Sequence, residues 1–562
     1  MKLRQAALCC AVVLLLFGAS AAAQEFNHKH YDKNEHDAKL GPEGQLAPRL
    51  MNVGEHKFPV TTKSERAQQF IHQGINLSYG FNHAEAGRAF AEAARLDPGC
   101  AMAYWGQALV LGPNINAPMN PDDEPKAYEL VQKAMALRER VSARERAYIE
   151  ALAKRYTGNA ADRSDADRVY ANAMREVAWR FPDDLDAATL FAEAMMDLRP
   201  WNYWTRDNRP YPGTEEIIAT LQKVMARSPN HPGALHLWIH MMEPTANPER
   251  GEEAADRLLL LAPAAGHLVH MPSHIYVRVG RYADAARSNE LAIAADEDYI
   301  TQCRAQGFYP VSYYPHNIHF LWFAETLRGR GEAAVAAARK VAAKMSPETL
   351  RESPFLQFFA VVPYQALVRF GRWEEILREP RPGFDGPLVV GMWHFARGMA
   401  WNAKGHTAEA AAELAEVRKR AEDPEVQKLM LWSPNSVGGV LAIGVEILAG
   451  EIAARNGELV RAVAHLDRAV RLEDALAYIE PPDWGLPARH VLGAVLLKAG
   501  RAAEAEVVYW DDLRRQPENG WALYGLMQAL RAQGKDDEAV AIEARFRRAW
   551  SDADVQLAAS RF

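Results

Sequence analysis

Apolar residues return along this chain at intervals of three and four, in stretches of helical length, while sustained strand-like alternation is lacking. That pattern predicts amphipathic helices packed on one another. Near the C-terminus the run LPARHVLGAVLLKAGRAAEAEVVYWDDLRRQPEN, Leu486 to Asn519, is followed by GWALYGLMQALRAQGKDDEAVAIEARFRRAW. In both, a first helix ends at a glycine (Gly500, Gly534) and a second follows. Ala505 and Ala539 fall where the two helices press together, Gly493 takes the eighth position, and Pro517 closes the first unit. One such hairpin cannot bury its apolar face alone, but a stack can.

The same frame recurs upstream. FNHAEAGRAFAEAARLDP, ending at Pro98, reads as a second helix with Ala86, Phe90 and Ala93 in register. Gly280 with Tyr282, Ala285 and Ala292 marks another unit, as do Gly329, Gly371 with Trp373, Gly405 with Ala410, and Gly457 with Ala462. Pro229 and Pro263 each close a repeat, one period of about 34 residues apart. These runs resemble the tetratricopeptide consensus. The resemblance implies an all-α solenoid, a right-handed superhelix of roughly nine to eleven antiparallel hairpins whose first helices line a concave groove.

Breaks in the pattern divide the chain. Residues 24–60 carry Pro42, Pro48 and Pro59 and read as an irregular arm. Residues 112–125, 199–213 and 301–310 read as loops. A Pro/Gly hinge at 376–387 separates a solenoid over 61–375 from a second over 388–562.

Ahead of the arm, Lys2 and Arg4, an apolar stretch from Ala6 to Phe17 and small residues ending at Ala23 have the layout of a secretory signal over 1–23. The chain is therefore expected to be exported, periplasmic or extracellular after cleavage near Ala23, with no membrane span. Cys9 and Cys10 fall within that signal, leaving Cys100 and Cys303 as buried small apolar residues that do not pair. A net charge of -7, with both signs interspersed, argues against nucleic acid as partner. No glycine loop stands in a strand-turn-helix context, so no nucleotide is expected.

Chemistry concentrates in the histidines. Of the 18 in the chain, His236, His240, His267, His270, His274, His316 and His319 fall in three successive repeats. In repeat numbering His236 and His240 take positions five and nine. His267, His270 and His274 take two, five and nine, and His316 and His319 take two and five. Such spacing puts each set on one helix face. The resemblance implies that the face lines the groove. Glu243, seven residues beyond His236, sits at its edge. Two HxxxH pairs offset by one repeat allow imidazoles to converge on one or two transition metals, with Cu, Zn, Fe and Ni undistinguished and Ca and Mg disfavoured. A second histidine group, His28, His30 and His36, lies in the N-terminal arm.

Trp105, Tyr276, Tyr314, Trp484, Arg489 and His490 are further candidates to line the groove and hold a peptide, protein or small-molecule ligand, and the loop aromatics Trp201, Tyr203 and Trp204 suit a pocket wall. The combination HLWIHMMEP, GHLVHMPSHIYVRVGRY and YPHNIHFL, with PNIN early and EPPDWGLPAR late, resembles a family of exported bacterial tetratricopeptide proteins over nearly the whole mature chain. That resemblance implies the fold and no activity. Three functions remain open: a binding scaffold with a histidine metal centre, a metalloenzyme with an open coordination position, and a metal-free interaction module.

Overall fold

The computed structural model describes residues 44–159, 163–305 and 308–562. The expected signal over 1–23 and His28, His30 and His36 of the arm lie outside the described residues. The chain is an all-α solenoid of helical hairpins, with no β-strand among the described residues. Its hairpins include Glu65–Tyr79 with His83–Leu96, Tyr313–Leu327 with Gly331–Ala342, Val437–Arg455 with Leu459–Ala475, and Gly520–Ala532 with Asp536–Ala549.

The turn glycines read from the sequence, Gly280, Gly329, Gly371, Gly405, Gly457, Gly500 and Gly534, all have φ between +62° and +87°. A side chain there would meet the following carbonyl, so glycine ends the first helix cheaply. The residue after the glycine then donates its N–H to a helix-end carbonyl, as Arg281 does to Tyr276 (2.8 Å) and Lys535 to Leu530 (3.0 Å). The small-residue positions Ala285, Ala410, Ala462 and Ala505 are fully buried, and Gly493 leaves room for the Tyr509 ring, which a Cβ would meet at 2.4 Å.

The solenoid curls back on itself. Tyr282 Oη donates to the Pro517 carbonyl (2.7 Å), Trp521 Nε1 to the Thr326 carbonyl (2.9 Å), and Arg328 pairs with Asp552 (2.9 Å). Three successive turn glycines receive this C-terminal stack: a Cβ on Gly280, Gly329 or Gly371 would strike Pro517, Trp550 or Phe562. What the sequence shows as a helix-stop signal is thus also a docking surface.

Residues 44–60 lack helix but are packed. Phe58 is wholly buried beside Trp105 and Tyr148, and Gln73 Oε1 accepts from the Leu50 N–H (2.9 Å). Cys100 and Cys303 are buried and unpaired. Val437–Arg455 is long and apolar enough to cross a membrane, but 78% of its apolar window is buried against neighbouring helices. That is how a central core helix of a solenoid reads.

Candidate metal centre

The histidine ladder folds into two triads of one design. His236 and His240 on Pro232–Met242 meet His267 at the start of the next repeat; His270 and His274 meet His316 one repeat further on. Within each triad the candidate ligand atoms lie within 4.8 Å of one another. Repeat positions five and nine therefore combine with position two of the following repeat, and the combination occurs twice in succession. The second triad tolerates a break in its helix: Gly266–His270 stops before Pro272, which lacks an N–H and opens Pro272–Arg278.

The outward ring nitrogens lie against acceptors, which favours a proton on each of them. His236 Nδ1 lies 2.6 Å from the carbonyl of Tyr79, the last residue of its helix, whose carbonyl has no helical donor. His240 Nδ1 bonds Glu243 Oε1 (2.7 Å). His270 Nδ1 bonds Asn289 Oδ1 (2.7 Å), an amide whose nitrogen is committed to the Ala285 carbonyl (2.7 Å). His274 Nδ1 meets Glu243 Oε2 and, at 3.3 Å, Glu480 Oε2. A carbonyl or carboxylate can only accept, so each Nδ1 donates, and in the rings that burial keeps neutral, His236, His240 and His270, Nε2 is left with a lone pair facing inward.

In the first triad two such lone pairs face one another, while in the second the His270 lone pair faces a ring that can carry a second proton. His236 Nε2 and His240 Nε2 are 3.0 Å apart, and His270 Nε2 and His274 Nε2 are 2.9 Å apart. Two lone pairs at that distance repel unless a cation lies between or beside them. Two nitrogens each about 2.0–2.1 Å from one tetrahedral ion sit roughly 3.3 Å apart, close to what is seen. Acceptor-held imidazoles of this kind are the usual setting of metal-ligating histidine.

Burial keeps most of these rings neutral. His236, His240, His267, His270 and His316 are all held well below the ordinary histidine value, chiefly by burial. His274 is the exception. Burial opposes its charge, but the Glu243 and Glu480 carboxylates outweigh burial and raise it to about 9. In the first triad no proton fills the gap; in the second a proton on His274 can, and a metal ion must displace it.

Aromatic rings close the site. Phe81 lies against all three rings of the first triad, at 4.4 Å from His236, 6.1 Å from His240 and 5.6 Å from His267. Phe320 does the same for the second, at 4.7, 4.5 and 5.0 Å from His270, His274 and His316. Trp201 stands edge-on to His240 (5.1 Å), its indole N–H donated to Asn116 (3.1 Å). Phe81 and Trp201 both have left-handed backbone, φ +55° and +60°. Bulky residues rarely adopt it, and such strain gathers at functional sites. Phe81 and Tyr313 also wall an open pocket of about 650 Å³ that includes Asn114, Met119 and Asn120 of the loop at 112–125.

Several expectations need correction. His319 joins neither triad; it stacks on Trp322 (5.2 Å) among Phe358 and Phe359. Glu243 meets Nδ1 of both His240 and His274, which lets it orient a histidine of each triad, and with His274 and Glu480 it forms a further group whose candidate ligand atoms lie within 4.8 Å of one another. The ladder does not line an open groove: five of its six triad histidines are buried, and His316 alone is partly exposed. Phe81, Trp201, Tyr313 and Phe320 pack over the rings, and the closure of the superhelix carries Glu480 from the C-terminal stack onto His274.

The six proposed groove residues lie elsewhere. Trp105 is core, packed on Phe58 and Tyr148; Tyr276 and Tyr314 bond Asp256 and Glu297 through their hydroxyls; Trp484 donates to the Leu486 carbonyl. Arg489 pairs with Asp474 and Asp511, and His490 bridges Arg369 and Asp512. Among the described residues none of the six hydrogen-bonds or ring-stacks with a triad histidine.

A third polar cluster, His56, Asp186 and His231, touches the site through Tyr79, whose hydroxyl donates to Asp186 (2.6 Å) while its carbonyl holds His236. His231 Nδ1 accepts the Ala234 N–H (3.2 Å) as a helix cap. Burial works against the Asp186 carboxylate, but hydrogen bonds from His231 and His56 outweigh it and hold the group well below the usual range. Its contacts are explained without an ion.

No family model matches the chain, and no curated protein matches it. Similar solved structures include a human IFIT1 dimer with m7Gppp-AAAA, 13% identical over 88% of this chain and 92% of that one, TM-score 0.31. The APC/C hetero-tetramer Cut9-Hcn1 is 11% identical over 87% and 94%, TM-score 0.25. The P58(IPK) TPR domain is 12% identical over 84% and 99%, TM-score 0.22.

Proposed function

We propose that this chain is an exported solenoid scaffold that holds two transition-metal ions side by side, one in each histidine triad. The observation that carries this is the pair of inward Nε2 atoms in the first triad, 3.0 Å apart, with both Nδ1 protons committed outward and both rings neutral. A metal-free packing role leaves that contact repulsive. Export is supported by the charged, apolar and small-residue order of residues 1–23.

A second reading, catalysis, is favoured by the ligand count. Three protein ligands on each ion leave a coordination position open, as in catalytic sites, where closed structural sites use four. Metal analysis of untagged protein, followed by zinc titration, tests the proposal. It should return about two equivalents per chain. Retention of less than about a tenth of an equivalent by folded protein would overturn it.

A further inference from the structure

Resting on the two-metal reading, the chemistry of the donor set narrows the ions and what they do. Every inward-facing donor is an imidazole nitrogen; the nearby carboxylates of Glu243 and Glu480 meet the outward nitrogens. Three-coordination by imidazole is an ordinary, complete environment for cuprous copper. Zinc, nickel and ferrous iron need four to six ligands and would have to recruit water. Phe81 and Phe320, one against each triad, offer a water molecule nothing to bond to.

Charge points the same way. Bringing ions into a buried site is costly unless opposite charge is close. Glu243 and Glu480 are the buried carboxylates that touch the triads, and Arg278, 4.0 Å from Glu480, offsets part of theirs. Two carboxylates partly offset by one arginine come nearer to compensating two monovalent ions than two divalent ones.

The triads are also too close to act separately. The rings of His240 and His274 are 5.7 Å apart, as are those of His267 and His270, and Glu243 bonds one histidine of each triad. A lone cuprous ion supplies one electron, whereas an adjacent pair supplies two. His316 is the one triad histidine that is not fully buried, and Phe81 and Tyr313, which pack on the first triad, also line the neighbouring pocket. Such a site admits a small neutral molecule more readily than an ion.

We infer that the six histidines hold two cuprous ions that together deliver two electrons to dioxygen. Each copper goes from Cu(I) to Cu(II) with loss of one electron. Dioxygen takes both electrons and two protons from solvent, the O–O bond order falls from two to one, and hydrogen peroxide leaves.

The test loads untagged, folded protein anaerobically with Cu(I) in the presence of excess bathocuproine disulfonate, then admits air in an oxygen electrode. About two coppers should be retained, about one dioxygen should be taken up per two coppers, and the oxidised pair should give little paramagnetic Cu(II) signal because the neighbours couple. His316→Ala should retain one copper, take up dioxygen at least about ten-fold more slowly per copper, and give a full Cu(II) signal once oxidised. His267→Ala, on the other triad, should behave alike and serves if the first variant does not fold. Two zinc ions held but cuprous copper surrendered to the chelator would overturn the inference and leave the two-metal reading standing; loss of both metals would overturn the two-metal reading itself. Copper retained yet inert to air, or oxidised at the same rate in wild type and both variants, would overturn the paired reaction.

Discussion

The first triad, His236, His240 and His267, and the second, His270, His274 and His316, share their repeat positions and a covering phenylalanine, but the groups that hold them differ. In the first, a neutral helix-end carbonyl from Tyr79 and one oxygen of Glu243 suffice. In the second, Asn289 holds one ring, while Glu243 and Glu480 converge on the other. The consequence is electrical. Every histidine of the first triad is neutral at ordinary pH, while His274 in the second is raised to about 9, since its carboxylates outweigh the burial that opposes its charge. A repeat can duplicate a ligand spacing without duplicating its chemistry, because the supporting groups come from whatever element the superhelix lays against each copy.

Removing a ligand should separate the two most sharply. His267→Ala should cost the first site at least about 100-fold in metal affinity and spare the second, and His316→Ala the reverse, because a lost imidazole is not replaced in a dry pocket. Titration would show one equivalent lost in each variant with helical content unchanged. Loss of both equivalents from either single variant would mean that the triads are one site.

Proton displacement is the next largest contrast. A metal entering the second triad must expel the His274 proton, so affinity there should rise with pH, about ten-fold per unit from neutrality until the group's own titration near pH 9. The first triad has no such proton to expel and should be flat over the same range. For the metal-free protein the sign is opposite. A raised histidine stabilises the fold fully below its ordinary value of 6.5, and that contribution fades as pH rises through about 9. Zinc titrations at pH 7, 8 and 9 would show two classes of site converging or diverging. Parallel behaviour of both sites breaks the comparison.

Glu243→Gln should be felt on both sides, since one carboxylate serves His240 and His274. Losing an orienting carboxylate typically costs 10- to 100-fold in metal affinity. The glutamine can still accept one bond through its oxygen, so a drop of about ten-fold at each site is expected by competition with a zinc chelator. An effect confined to one triad would show that Glu243 does not join them.

The repeat and the clustering of its histidines were legible because they depend on local rules. A glycine that must end a helix and a histidine at position five or nine leave their mark in the linear spacing, and Gly280, Gly329, His236 and His270 all stand where that spacing expects them. What was illegible depends on curvature or on backbone atoms. Glu480 reaches His274 across some two hundred residues of intervening chain only because the superhelix closes, and Tyr79 serves through a carbonyl that every residue possesses. The rings of Phe81, Trp201 and Phe320 cover the ladder, and Trp484 and His490 turn to their own partners, where the open-groove expectation had placed them beside a ligand. His319 obeyed the spacing but lacked a partner: position nine of its helix is Phe323.

The smallest effect expected is also the most specific to the first triad. Trp201 comes from a loop and is held in left-handed backbone at φ +60°, a conformation that costs on the order of 1–3 kcal/mol for a bulky residue and persists only where its surroundings demand it. Its indole N–H bonds Asn116 and its ring stands edge-on to His240. Trp201→Phe keeps a ring beside the histidine and deletes the bond that fixes it. The first site should therefore weaken by about three-fold, as for one lost neutral hydrogen bond at the lower end of its usual worth. The second site, which Trp201 does not touch, should be unchanged, and thermal stability should stay within about 1 kcal/mol of wild type. Trp201→Gly relieves the backbone instead, and should hold or raise stability while weakening the first site further, because the strain and the ring contact are removed together. If both variants bind zinc at the first triad as wild type does, the strained loop serves packing alone, and the two triads differ only in the charges that hold them.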